Sequence, residues 1–178
     1  MKRIKRTAVI RCAGISRRHR IAEDVTGGSD CLSLKSCYPP GTAVCMFGCL
    51  GGGSCLEVCP RHAIVFRDNG CAMVDREKCI GCGKCVKVCP QQLIELVPAE
   101  NNIQPQCSSQ APAKTVKEVC ISGCIGCGIC EKVCPSGAVH VLDGYARIDQ
   151  TRCIACGMCA ARCPRGVIHD ANGIISVQ

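Results

Sequence analysis

Apolar residues along this chain come in short bursts. Thr7-Ala-Val-Ile10 is typical, and no uncharged apolar run approaches the 18 or more residues of a membrane-spanning helix. Thr7 to Cys12 reads as a short strand. Four further bursts recur, each just after a Cys-Pro pair: Ala63-Ile-Val65, Leu93-Ile-Glu-Leu96, Ala138-Val-His-Val141 and Val167-Ile168. Turn signals follow the first and third, at Asp68-Asn-Gly70 and Asp143-Gly144. Alternating stretches then run Ala72-Met-Val-Asp75 and Tyr145-Ala-Arg-Ile-Asp149. The pattern predicts strand, turn, strand and loop, with a short helix inside each cysteine motif. Residues 21–44, broken by Gly27-Gly28 and Pro39-Pro40-Gly41, are expected to be irregular, and 99–119 read as a linker.

The cysteines change this picture most. There are 22 in 178 residues, above the level at which thiols rather than an ordinary core organise a chain. Hydrophobic residues make up 47% only because Cys is counted among them, and the chain has no Trp, two Phe and two Tyr. Something bound by the cysteines must replace much of the missing core. The basic start, Met1-Lys-Arg-Ile-Lys-Arg6, lacks the apolar stretch of a secretory signal. A reduced, cytoplasmic setting and metal binding are therefore expected in preference to disulfides.

The spacing names the metal. Cys79-x2-Cys82-x2-Cys85-x3-Cys89-Pro90 recurs as Cys124-x2-Cys127-x2-Cys130-x3-Cys134-Pro135 and as Cys153-x2-Cys156-x2-Cys159-x3-Cys163-Pro164. An altered copy runs Cys45-x3-Cys49-x5-Cys55-x3-Cys59-Pro60. A tight loop places three thiolates on three corners of an iron–sulfur cube but cannot reach the fourth, which comes from a partner motif. Structural zinc uses separate pairs of C-x2-C arms and has no use for this overlapping run. Cys120-x3-Cys124-x2-Cys127 has radical-enzyme spacing, but the same residues continue into the longer run and the chain is too short for a barrel.

The interlocking rule predicts four ligand sets. Cys124, Cys127 and Cys130 go with Cys163, and Cys153, Cys156 and Cys159 with Cys134. Cys79, Cys82 and Cys85 go with Cys59. The fourth set needs Cys89 and three from the altered motif; the regular second cysteine falls at Gly52, so Cys45 is expected to join Cys49 and Cys55. Among the remaining six, Cys71 and Cys37 read as small buried hydrophobes. Cys12, Cys31, Cys107 and Cys120 are buried thiols, a fifth cluster set stapling the arm to the linker, or a zinc site. His19, His62, His140 and His169 show no ligand pairing.

The formal charge of +8 counts every Cys as neutral. A loaded 4Fe–4S site carries about −2, so four sites cancel it. Charge therefore gives little support to a nucleic-acid partner. A zinc-stapled nucleic-acid module acting through residues 1–20 is the contrasting class, and Arg17-Arg18-His19-Arg20 reads as a solvated surface, with a docking patch for an acidic partner as the alternative.

Taken together, the runs resemble two tandem bacterial-type ferredoxins. More narrowly, Cys45-Met-Phe-Gly-Cys-Leu-Gly-Gly-Gly-Ser-Cys-Leu-Glu-Val-Cys-Pro60, Leu93-Ile-Glu-Leu-Val-Pro98, Cys107-Ser-Ser109 and Val119-Cys-Ile-Ser-Gly-Cys124 resemble the ferredoxin region of the B subunit of Rnf-type complexes, which are membrane-bound, ion-translocating ferredoxin:NAD oxidoreductases. Ala8-Val-Ile-Arg-Cys-Ala-Gly14 matches as well. The resemblance implies an α+β fold of two tandem ferredoxin-like modules with a short N-terminal extension: 1–44 a basic arm, 45–98 module 1, 99–119 a linker, 120–178 module 2. It implies four 4Fe–4S clusters, with a fifth left open, and single-electron transfer without a catalytic site. Expected partners are other subunits of a redox complex and a ferredoxin or flavoprotein, with docking at the cytoplasmic face of a membrane complex. A polyferredoxin wire of a cytoplasmic oxidoreductase is the other reading. The family carries a membrane helix and a small iron–sulfur domain ahead of this region, which these 178 residues do not include.

Overall fold

The computed structural model describes residues 4–14, 30–37 and 45–171. The basic cluster at 17–20 and the breakers at 27–28 and 39–41 lie outside the described residues. Each half of the chain builds the same unit, an outer and an inner antiparallel strand pair with a one-turn helix in each motif. In the first half the outer pair is β1 (Arg6–Ile10) with β4 (Ile94–Pro98), Ile10 opposite Ile94. The inner pair is β2 (Ile64–Phe66) with β3 (Ala72–Val74), around the Asp68-Asn-Gly70 turn. The motif helices are α2 (Ser54–Glu57) and α3 (Lys84–Val88). The second half repeats this with β5 (Ile103–Pro105) against β8 (Ile168–Asp170) and β6 (Val139–Leu142) against β7 (Tyr145–Ile148). Its motif helices are α5 (Ile129–Lys132) and α6 (Met158–Ala161). Helices α1 (Cys31–Cys37) and α4 (Ala113–Val119) each lie between a unit's first strand and its first motif.

These pairings redraw the expected boundaries. Residues 6–10, expected in the arm, are the edge strand of the first unit, and residues 103–105, expected in the linker, are that of the second. A strand's unpaired N–H and C=O groups must find partners, so the ladder decides membership rather than distance from the motifs. Within the stretch expected to be irregular, α1 forms because Asp30 caps it. Its carboxylate accepts the N–H groups of Leu32 (2.8 Å) and Ser33 (3.0 Å). Those bonds, Ser33 first, hold the Asp30 carboxyl below its usual range.

The same local devices recur in all four motifs. Gly53, Gly83, Gly128 and Gly157 precede the helices with φ of +77, +76, +74 and +75, a left-handed conformation costly to residues with a Cβ. At each Cys-Pro, the N–H three residues past the cysteine returns to the cysteine carbonyl: His62 to Cys59 and Gln92 to Cys89 at 3.1 Å, Gly137 to Cys134 and Gly166 to Cys163 at 3.2 Å. That turn delivers the apolar burst to the interior, where Ala63, Leu93, Ala138 and Val167 are buried. Aliphatic side chains such as Ile64 and Ile94 in the first unit and Ile103 and Ile168 in the second share the interior with thiols. The buried thiols are Cys55 and Cys85 in the first unit and Cys124, Cys130, Cys159 and Cys163 in the second.

The two units meet through polar ties. Arg11 pairs with Glu95 at 3.0 Å, donates to the Ala146 carbonyl at 3.2 Å and lies over the Tyr145 ring at 5.6 Å. Asn101 donates to the Gln150 side chain at 2.6 Å, and the Ala13 N–H donates to the Gln106 carbonyl at 3.1 Å.

Candidate metal centre

The fold gathers all the described thiols but Cys71 into five quartets. The Cys130 thiol faces Cys124, Cys163 and Cys127. Cys159 faces Cys153, Cys134 and Cys130 of the adjoining quartet, with Cys156 exposed on the loop between Cys153 and Cys159. Cys79, Cys82 and Cys85 share a cavity of about 350 Å³ with Cys59. In each case the cysteine before proline crosses to the other motif of its unit, as the interlocking spacing predicts.

The fourth quartet departs from expectation. Cys49, Cys55 and Cys89 share a cavity of about 360 Å³ with Cys31, not Cys45. A turn over residues 46–48, closed by the Gly48 N–H on the Cys45 carbonyl at 3.1 Å, carries Cys45 away from Cys49. Helix α1 brings Cys31 in. The Cys31 N–H donates to Ser54 Oγ at 2.9 Å, Lys35 Nζ to the Pro90 carbonyl at 2.7 Å, and Leu34 buries against Leu50. The first three quartets each keep one exposed thiol, Cys82, Cys127 or Cys156, whereas Cys31 is buried.

Cys45 instead joins Cys12, Cys107 and Cys120 around a cavity of about 460 Å³. Of the four cysteines expected as an extra set, Cys12, Cys107 and Cys120 line this cavity and Cys31 does not. Cys71 is fully buried, as expected of a packing residue, and its thiol lies 3.2 Å from the Cys12 carbonyl as donor. The Cys37 side chain lies outside the described residues. Of the histidines, His140 lies 3.4 Å from Glu131, burial holds His169 below its usual range, and His19 lies outside the described residues.

The thiols are prepared for negative charge. Each crossing cysteine accepts the N–H four residues on: Cys59 from Ala63 (3.3 Å), Cys89 from Leu93 (3.5 Å), Cys134 from Ala138 (3.2 Å) and Cys163 from Val167 (3.4 Å). Strand β1 adds the Ala8 N–H to Cys79 at 3.4 Å. Without a metal the charge is nonetheless opposed. Burial first, then the neighbouring thiols, pushes Cys55 and Cys159 up to about 12 and Cys85 and Cys130 to about 11. A cationic core answers both penalties.

None of the 21 cysteines with described side chains forms a disulfide. Among the described residues no three His, Cys, Asp or Glu side chains converge tightly enough to hold a single ion. Zinc, bound at 2.3 Å, needs thiolates roughly 3.8 Å apart. Quartets drawn from two interlocked loops, spread around cavities and ringed by N–H donors, fit a cube of iron and sulfur. Fold and quartets together define a tandem two-cluster protein of the bacterial ferredoxin type.

Comparison with known proteins agrees. The 4Fe–4S dicluster domain profile matches residues 78–138 and 123–167, half of the chain, and the chain belongs to that family. The LdpA Fe–S cluster-binding domain profile matches residues 45–100. The B subunit of the proton-translocating ferredoxin:NAD(+) oxidoreductase complex of Clostridium ljungdahlii is 39% identical over 146 residues, 82% of this chain and 51% of that protein. Its counterpart in the Na(+)-translocating ferredoxin:NAD(+) oxidoreductase complex of Acetobacterium woodii is 35% identical over 146 residues, 82% of this chain and 44% of its own length. The counterpart in the ion-translocating oxidoreductase complex of Methanosarcina acetivorans is 36% identical over 144 residues, 80% of this chain and 54% of its own length. The chain thus spans about half the length of the relatives it matches. No helix among the described residues is long and apolar enough to cross a membrane.

Sequence reasoning missed the exchange of Cys31 for Cys45. Two signals could have found it. Asp30 before Leu32-x-Leu34 is a helix start. Cys45-x3-Cys49 repeats the spacing of Cys120-x3-Cys124, which pairs Cys45 with Cys120 by position.

Proposed function

We propose that the chain is an iron–sulfur electron-transfer subunit of a redox complex of the ion-translocating ferredoxin:NAD oxidoreductase type. Its two modules hold four 4Fe–4S clusters. The ligand sets are Cys124/Cys127/Cys130/Cys163, Cys134/Cys153/Cys156/Cys159, Cys59/Cys79/Cys82/Cys85 and Cys31/Cys49/Cys55/Cys89. When bound, each cluster supplies a one-electron couple whose potential follows charge, hydrogen bonds and solvent exposure. The protein's part is to hold the thiolates, aim N–H groups at them and set exposure. Cys82, Cys127 and Cys156 face outward, where partners such as a ferredoxin could exchange electrons, while α1 screens the fourth set. The observation that carries this reading is the crossing of each Cys-Pro cysteine to a second motif. The resemblance to complex subunits supports a role within an assembly, docked at the cytoplasmic face of the membrane.

Anaerobic purification with iron, sulfide and zinc analysis tests it. The expected product is brown, contains at least about 16 iron per chain and bleaches on reduction with dithionite. A pale, well-folded protein, or one carrying zinc instead, would overturn the proposal.

A further inference from the structure

We infer that Cys12, Cys45, Cys107 and Cys120 hold a fifth 4Fe–4S cluster that joins the two modules electrically; this rests on the reading that the other quartets hold clusters. No single motif supplies this set. Its four thiols come from four segments, two in each half, and line one cavity of about 460 Å³, roomier than the two in the first module.

The quartet is built from equivalent positions of the repeat. Cys12 lies two residues beyond β1, and Cys107 two residues beyond β5. The residue before each makes the same bond: Arg11 donates its N–H to the Leu93 carbonyl at 2.8 Å and Gln106 to the Val167 carbonyl at 2.7 Å. Cys45 and Cys120 each lie four residues before the first ligand of their module, Cys49 and Cys124. The N–H groups of Phe47 and Gly48 point at the Cys45 sulfur, and those of Ser122 and Gly123 at the Cys120 sulfur. Four thiols brought together by matched backbone geometry, with matched N–H donors at Cys45 and Cys120, make a ligand set rather than an accident of packing.

Its position makes it a bridge. The Cys49 N–H donates to Cys12 Sγ at 3.5 Å, and Cys107 accepts the N–H of Cys124. The quartet thus abuts the nearest ligand of one quartet in each module. The resulting order is the Cys59 set, the Cys31 set, the junction, the Cys163 set and the Cys134 set. Transfer along it moves one electron at a time. The donor cluster is oxidised as its neighbour is reduced, with no bond or proton changing hands. Arg165, which donates to the carbonyls of Cys120 and Gly123, places a fixed positive charge beside the junction. That charge favours the more negative, reduced state and so raises the junction's potential.

The full chain, purified anaerobically, should contain about 20 iron, and dithionite should deliver up to five electrons where four clusters would take four. Cys107→Ser and Cys45→Ser should each lose about 4 iron and one electron, while Cys71→Ala keeps the full complement. Arg165→Gln should keep the iron and shift the potential of one cluster downward. Wild-type protein with about 16 iron, or a Cys107→Ser variant with unchanged iron, refutes the fifth site alone. Protein without iron refutes the four-cluster reading beneath it. The wild-type count decides the matter even where a variant fails to fold.

Discussion

Gly81 separates two costs that are often confounded. It lies between Cys79 and Cys82 with φ +65, and a Cβ built there would come within 2.4 Å of the Arg6 carbonyl oxygen on β1. Gly128, with φ +74, has nothing within 4 Å of the same atom. Gly128→Ala therefore incurs only the left-handed strain, about 1–2 kcal/mol. Gly81→Ala incurs that strain and must also push β1 away, an overpacking cost of about 1–3 kcal/mol more. The displaced strand carries Ala8, whose N–H bonds the Cys79 sulfur at 3.4 Å, so cluster retention should suffer as well. For a chain of this size the extra cost corresponds to a midpoint roughly 2–12 °C below that of Gly128→Ala. The assay is thermal unfolding of the iron-loaded variants by circular dichroism, with bleaching of the visible absorbance read in parallel. If the two variants melt and bleach together, the close approach of β1 to the Cys79 loop is not a constraint and the reasoning fails.

Two further outcomes follow from the thiol geometry. Cys31→Ser and Cys89→Ser remove ligands of one quartet, so the double variant should lose about the same 4 iron as either single, whereas Cys31→Ser with Cys45→Ser should lose about 8; equal losses in the two doubles would contradict the placement of Cys31 and Cys45. The metal-free, reduced chain should be most stable below about pH 8.5, where thiols of the unfolded chain remain protonated. Stability should then fall as pH rises toward the folded values of about 11 to 12 at Cys85, Cys130, Cys55 and Cys159. Urea unfolding at about pH 7 and about pH 10 checks this, and unchanged stability between them would contradict it.

Much of the architecture was legible because the repeat is written twice in each half. The Cys-Pro turn, the apolar burst behind it and the hairpin turns at Gly70 and Gly144 announce strand pairs directly. The crossing of Cys59, Cys134 and Cys163 also follows from spacing, since a loop with three cysteines cannot surround a cube. The outer pairs were harder. β1 and β4 are separated by most of the first module, and nothing local in Thr7 to Ile10 names its partner. The partition of Cys31 and Cys45 was harder still. Distance along the chain favours Cys45 beside Cys49, but a four-residue turn reverses its direction, and the thiol that shares the cavity of Cys49, Cys55 and Cys89 arrives on a capped helix from a stretch rich in breakers.

The matched origin of Cys12 with Cys107, and of Cys45 with Cys120, has a consequence for ancestry. A half-length protein bearing one cysteine of each kind would present half a socket. Two copies facing each other as a symmetric dimer would complete it. Joining such copies end to end would keep the shared socket while releasing each copy to diverge. Gly52 at the regular cysteine position of one motif, with Cys31 sharing the cavity of Cys49, Cys55 and Cys89, is an asymmetry that a fused pair is free to accumulate.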